Sequence, residues 1–236
     1  MSSTTELAKA LHESSVIRRF FDGIATRYDL INDLLSFRLD HLWRKRALEL
    51  ILDGSERSIL DIGTGTGKFI QLFLKKQEWQ RACALDFSEN MLARAKEFLP
   101  EQVVLVQGDF QKLPYPEKSF DLIISAFTLR SVQDLPGFLS GVHRVLTEKG
   151  KVGLLCLTRP PSKFWRAITY PYLKYYLPFA GGLLTGNWEA YRFLSNSILT
   201  FQTPEKTAEM MRSSGFRSAE IYRMSLGLAT LIIGRK

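Results

Sequence analysis

The stretch Ile59-Leu60-Asp61-Ile62-Gly63-Thr64-Gly65-Thr66-Gly67-Lys68 decides how the rest of the chain is read. An apolar run broken by one acid reads as a strand, the alternating glycines as a turn, and residues 67–76 as a helix. Glycine has no Cβ and adopts positive φ, so such a turn lets backbone N–H groups approach a ligand at a helix N-terminus. The same turn also joins strand to helix where no ligand binds, and alone it does not separate the two cases.

Working outward, apolar runs alternate with amphipathic ones. Residues 82–86 form a second strand, and Ser88 then reads as the N-cap of a helix carrying Met91, Leu92, Ala95, Phe98 and Leu99 on one face. Residues 103–106 make a third strand ending at Gly108-Asp109, and residues 120–127 a fourth. A helix over 134–146 and a fifth strand over 151–157 follow. Strands this continuously apolar, each followed by a helix, predict a parallel α/β sheet of Rossmann-like type covered on both faces. After a helix over 204–213, strands at 219–224 and 228–233 are close enough to pair as a hairpin. The expected sheet therefore has seven strands, the last antiparallel.

The flanks are of another character. Residues 16–25 and 39–52 show helical spacing and form an N-terminal helical cap over 1–53, ahead of a core over 58–157. Pro160-Pro161 breaks the alternation, and residues 164–201 are rich in Trp and Tyr. Within them, 170–184 is apolar but interrupted by Pro171, Lys174 and Pro178, which suits a lid over 160–203, an interfacial segment, or a helical pair over the sheet edge. Residues 204–236 close the sheet, and no linker or repeat divides the 236 residues, so one domain is expected.

Composition bounds the partners. With 45% hydrophobic residues the chain buries a sizeable core, and a net charge of +8 points to an anionic partner. The cluster Arg44-Lys45-Arg46 reads as well as a solvated helix face as it does as a binding patch. Cys83 and Cys156 lie in apolar runs with no His or Cys at ligand spacing, so buried reduced thiols and no metal are expected. The first fifteen residues lack a signal peptide's apolar core, and no apolar run reaches the roughly 20 residues that span a bilayer. A soluble, cytoplasmic protein is the expectation.

Three acids carry the chemistry: Asp61 before the glycines, Asp86 ending the second strand, and Asp109 ending the third. An acid in Asp86's place can accept from both hydroxyls of a ribose, and one in Asp109's place from an exocyclic amine such as adenine's. Each alone could be a helix cap; three at the carboxyl ends of adjacent strands, beside a glycine turn, mark where open sheets bind ligands.

At these residues the core, 60–157, resembles the class I S-adenosylmethionine-dependent methyltransferases. The resemblance implies that Gly63, Gly65 and Thr66 line the amino-acid end of the cofactor, Asp86 holds its ribose, and Asp109 with Phe110 surrounds its adenine. Asp61, Met91 and Ser125 complete the expected donor side. Arg27-Tyr28-Asp29-Leu30-Ile31-Asn32-Asp33, Phe127-Thr128-Leu129-Arg130-Ser131-Val132 and Tyr191-Arg192-Phe193-Leu194-Ser195-Asn196-Ser197-Ile198 resemble the C-methyltransferases of menaquinone and ubiquinone biosynthesis. Departures from that family's pattern are Asp40 where it has histidine, Asn196 where it has glutamate, Ile232 where it has histidine, and Ala126 where it has serine. They are expected to fall near the acceptor.

The resemblance implies methyl transfer to a ring carbon of a reduced prenylated quinone, with demethylmenaquinol ahead of a ubiquinol-type benzoquinol. Arg130 is expected to stabilise a quinolate oxyanion, Tyr28 to close over the cofactor and Asp33 to be a base. Tyr191 and Asn196 are expected in the acceptor pocket, and His143 in a structural role. A basic protein with an aromatic segment could dock on anionic lipid, and a homodimer is conceivable. The rivals are a nucleic-acid methyltransferase and a non-catalytic cofactor-binding scaffold. Against the first, no Asn-Pro-Pro-Tyr-like motif follows the fourth strand, where Ala126-Phe127-Thr128-Leu129 stands, and no RNA-binding module is appended.

Overall fold

Strand β1 (Ser58–Ile62) lies in the interior of the sheet, with β2 (Arg81–Asp86) on one side and β4 (Phe120–Ala126) on the other, all parallel. The structure is a computed structural model and describes residues 33–236. Side chains alternate across a strand, and in β1 both directions meet apolar layers. Leu60 and Ile62 join Cys83, Leu85 and Ile123 beneath helix α4 (Leu135–Val145). Ile59 faces the opposite layer with Trp43, Ala47, Leu48 and Ile51 of α1 (Leu39–Ile51) and Phe69, Ile70 and Phe73 of α2 (Lys68–Leu74). Asp61 shares Ile59's parity and therefore points toward α1 and α2.

The described residues form a seven-stranded sheet in the order β3-β2-β1-β4-β5-β7-β6, with β3 at Val103–Gln107, β5 at Leu146–Leu157, β6 at Ser218–Met224 and β7 at Ala229–Arg235. Strand β7 runs antiparallel to both neighbours, slotted between β5 and β6, as the expected hairpin requires. Chain order reverses between β1 and β4, and open α/β sheets bind ligands at such a switch point.

Three local expectations are corrected. Strand β5 begins at Leu146 rather than 151, because Leu146 pairs with Phe120 before a register shift brings Lys151 opposite Leu122. Phe98, expected on the buried face of α3 (Glu89–Phe98), is 52% exposed; it ends the helix, where the Arg94 guanidinium lies 5.7 Å from its ring centroid. In Arg44-Lys45-Arg46 the first arginine is buried and the other two are exposed, since Arg44 follows Trp43 on the face turned to the sheet.

The aromatic segment folds as α5 (Lys163–Pro171), a π turn (Tyr172–Tyr176), α6 (Leu177–Thr185) and α7 (Trp188–Thr200). It has a small core of its own, Leu173, Leu177, Tyr191 and Ile198, into which Leu35 packs from the N-terminal side. Gly186 at φ +74 ends α6, and the Asn187 side chain accepts from the Ala190 N–H to start α7. Helix α8 (Pro204–Ser213) then returns to the sheet. Among the described residues, no helix is long and apolar enough to cross a membrane.

Candidate functional site

The glycine turn is fixed to the end of β2 by its backbone: the Gly63 and Thr64 N–H groups both donate to Leu85 O, at 2.8 and 3.1 Å. Gly63 has φ +68, and a Cβ built on it would meet Thr128 Oγ1 at 2.3 Å, so the loop after β4 approaches as close as glycine allows. Gly65 has φ +56 and nothing within 4 Å of its Cβ position, leaving the turn open on that side. Asp86 accepts from the Gly65 N–H at 2.8 Å and from the Ser88 N–H at 3.0 Å, tying the turn to the start of α3.

The other expected donor residues divide into a mouth and a backing. Asp109 is exposed and accepts from the Gln111 N–H at 2.8 Å; Phe110 beside it meets Phe87 edge to face at 5.9 Å. Ser125 is buried and donates to Ile62 O at 2.7 Å, while Met91 is buried on the inner face of α3. Thr66 is buried in the turn.

Asp61 is the unusual group. It is 1% exposed, and burial pushes its carboxyl up to about 7. The Thr64 hydroxyl, the Ile70 backbone N–H and Arg44 pull it down, and Asp86 adds to the rise. Thr64 Oγ1 donates to Asp61 Oδ2 at 2.8 Å. Oδ1 has no hydrogen-bond partner among the described residues.

Of the residues expected on the acceptor side, Arg130 lies on the 3₁₀ turn Leu129–Ser131 after β4, and its Nη1 donates to Ser197 Oγ of α7 at 2.9 Å. This bond joins the sheet's carboxyl-end rim to the lid. Tyr191 is buried in the lid core, and a Cβ on Gly181 would meet its ring at 2.2 Å. Asn196 is exposed, turned away from the rim that its neighbour Ser197 reaches. Asp33 accepts from His41 Nε2 at 2.8 Å and Lys68 Nζ at 3.3 Å, linking α1 to α2. Tyr28 lies outside the described residues.

Asp33, Asp40 and His41 come together at distances that could hold a cation, but Asp33 is shared by His41 and Lys68, and Asp40 is paired with Arg44. His143 packs edge to face on Phe216 at 5.2 Å, in the structural position expected of it.

Two residues escaped the sequence reading. Ser197 stood inside a quoted motif without a role. Arg44 was hidden in a basic run, and its one signal was the helical spacing that puts it beside Trp43 and four residues after Asp40.

The seven-stranded order agrees with the chain's similarities. Residues 8–236 match the model of the ubiE/COQ5 methyltransferase family. A demethylmenaquinone methyltransferase of Thermotoga maritima is 42% identical over 84% of this chain and 86% of its own length. One from Deinococcus radiodurans is 36% identical over 95% and 94%. A ubiquinone/menaquinone biosynthesis C-methyltransferase of Methylococcus capsulatus is 32% identical over 95% and 94%. A solved SAM-dependent methyltransferase from Thermotoga maritima shares the fold at TM-score 0.68 and 20% identity, over 93% of this chain and 99% of that one. The chain belongs to the ubiE/COQ5 methyltransferase family.

Proposed function

We propose that the protein transfers a methyl group from S-adenosylmethionine to a ring carbon of reduced demethylmenaquinone. The observation that carries the acceptor assignment is the near full-length similarity to demethylmenaquinone methyltransferases at 42% and 36% identity. The donor supplies an electrophilic methyl on a sulfonium.

The residues fit that donor. The open face of Gly65 leaves room for its amino-acid end, and Asp61 Oδ1 is a buried acceptor lacking a donor. Gly63, Gly65 and Thr66 would line that end, Asp86 would hold the ribose, and Asp109 with Phe110 would hold the adenine. Met91 and Ser125 hold these groups from behind. Held by these residues, the donor would be aligned for methyl transfer, and such alignment contributes several kcal/mol to a group transfer.

At that rim Arg130 stabilises the quinolate oxygen whose charge raises electron density on the ring carbon. Its bond to Ser197 holds the guanidinium in place when the lid is seated. Asp33, whose carboxylate already accepts from His41 and Lys68, is the weaker candidate for the base. Tyr191 orders the lid from inside.

The lid also faces outward. A groove of about 700 Å³ is lined by Tyr172, Tyr175, Tyr176, Phe179 and Trp188 with Lys174 and Arg192. Phe164, Tyr175, Phe179 and Leu183 are each more than 60% exposed. An apolar surface ringed by cations suits peripheral docking on anionic lipid from the cytoplasmic side, with the acceptor's prenyl tail left in the bilayer.

Incubation with the donor and chemically reduced demethylmenaquinol, followed by mass spectrometry, is expected to give a product heavier by one methyl. A reduced demethylated benzoquinol, RNA and DNA are run in parallel. Methylation of nucleic acid alone, or tight donor binding with no quinol turnover, refutes the proposal.

A further inference from the structure

Helix α1 places a buried cation beside the glycine turn. Arg44 is 8% exposed, and one of its Nη groups pairs with Asp40, itself buried and held further by the Ser36 hydroxyl at 3.0 Å. Burial alone would raise Asp40, but Arg44 and Ser36 hold its carboxyl below the usual carboxylate range. Asp40 is thus a fixed anion that orients the guanidinium. The guanidinium carbon lies 5.0 Å from the Phe127 ring centroid. Phe127 has φ +63, and this bend after β4 delivers Thr128 onto Gly63. Arg44, Phe127, Thr128 and Gly63 therefore form one continuous wall.

Arg44 Nε has no hydrogen-bond partner among the described residues although it is buried. Asp61 Oδ1, on the strand face turned toward α1, is in the same condition. Arg44 is close enough that its charge lowers the Asp61 carboxyl, yet among the described residues its ion pair is with Asp40 and not with Asp61. A buried donor on a cation and a buried acceptor on an acid, near each other but unbonded, leave free-energy penalties that a ligand with the opposite pair of charges removes.

We propose that Arg44 binds the α-carboxylate of the donor's methionine end while Asp61 takes its ammonium, with Asp40 as the positioning residue behind Arg44. This rests on the reading that the donor occupies the glycine turn. It adds a recognition step at the end of the donor remote from the transferred methyl, and assigns it to a helix outside the strand-and-turn core.

The test uses two probes and calorimetry on the full-length protein. S-adenosylhomocysteine carries the zwitterion; 5′-methylthioadenosine has the same nucleoside and lacks it. Arg44→Gln is expected to weaken S-adenosylhomocysteine by about 10- to 100-fold, the range of a lost hydrogen bond to a charged group. Binding of 5′-methylthioadenosine is expected to change less than threefold. Because Arg44→Gln strands Asp40 as a buried charge, the double variant Asp40→Asn/Arg44→Gln removes the pair together and is measured beside it. Equal loss for both probes, or no loss for either, in whichever variant folds, overturns the proposal. Wild-type protein that binds both probes equally well refutes the clamp and leaves the donor site standing. Failure to bind either probe refutes the donor site itself, and the clamp falls with it.

Discussion

Asp61→Asn is expected to stabilise the donor-free protein at neutral pH while damaging its function. The wild-type carboxyl is pushed up to about 7, chiefly by burial, from an ordinary 3.8. Between about pH 4 and pH 7 the unfolded chain has released this proton and the folded protein still holds it. Stability contributed by the neutral form is complete below the unfolded value and is lost as pH rises toward 7. The loss runs at about 1.4 kcal/mol per pH unit and levels near a total of about 4 kcal/mol. Asparagine has nearly the same volume, still accepts from the Thr64 hydroxyl, and never ionises. The free-energy difference between variant and wild type should therefore rise with pH from 4.5 to 8, whatever constant offset the amide adds. Urea unfolding of both proteins at pH 4.5, 6 and 8, with equal m-values, measures it. A difference that stays flat, or grows toward acid, refutes the argument that Asp61 is an ionisable group buried at its own expense. Donor affinity runs the other way. Thr64, Ile70, Asp86 and Arg44 all bear on this carboxyl, but an ammonium ligand favours its ionised form. S-adenosylhomocysteine binding should weaken below pH 7 in wild type and lose that pH dependence in Asp61→Asn.

Other perturbations separate neighbouring residues. Gly63→Ala places a methyl 2.3 Å from Thr128 Oγ1 at φ +68 and should lower stability by about 2–4 kcal/mol in urea. Gly65→Ala meets no atom within 4 Å, so it should cost only about 1 kcal/mol of strain while weakening S-adenosylhomocysteine binding at least tenfold. Arg130→Ala should lower kcat by about 100-fold or more with donor affinity unchanged, whereas Ser197→Ala, removing one neutral partner of Arg130, should lower it less than tenfold in steady-state assays. Replacing both Lys174 and Arg192 with Gln removes two cations from the aromatic groove and should weaken flotation on anionic vesicles by about 30-fold, leaving neutral vesicles unaffected.

The parts of the fold that were legible are those where one residue pattern has one physical solution. Ile59, Leu60 and Ile62 are fully buried because an interior parallel strand has no solvent side, and an apolar run broken by the single acid Asp61 announces that. Ser88 capping α3 follows from local chemistry, its hydroxyl accepting the Met91 N–H three residues on. Legibility fails where a residue's environment is built by distant chain. Tyr191 and Asn196 sit five residues apart on α7, and sequence alone does not say which side meets the rim; that is decided by Leu35, Leu173 and Leu177 forming a core beneath Tyr191. Phe98 looks apolar and periodic, yet it is exposed at the helix end while the next residue, Leu99, takes the buried place beside Ala95 and Val103. Arg44 is the clearest case, since the burial of a cation depends on Asp40 one helical turn earlier and on Phe127, which arrives from beyond the fourth strand.

The departures from the family pattern take on a different meaning once placed. Ile232 is 1% exposed and pairs with Leu154 and Ile221 within the sheet, so an apolar residue there fills the core rather than altering the acceptor. Asn196 faces solvent. Asp40, expected near the acceptor, pairs with Arg44, the residue proposed for the donor's carboxylate, and there a carboxylate gives the buried guanidinium a full counter-charge that a neutral imidazole would not. If that is the reason for the aspartate, Asp40→His should raise the Kd for S-adenosylhomocysteine and leave that for 5′-methylthioadenosine nearly unchanged. The effect should be smaller than that of Arg44→Gln, because the cation is still present but less well held. The KM for a demethylated quinol, measured at saturating donor, should stay within about twofold, since the altered residue lies behind the guanidinium and not beside the methyl acceptor. A quinol KM that rises while donor affinity holds would return Asp40 to the acceptor side and refute this placement.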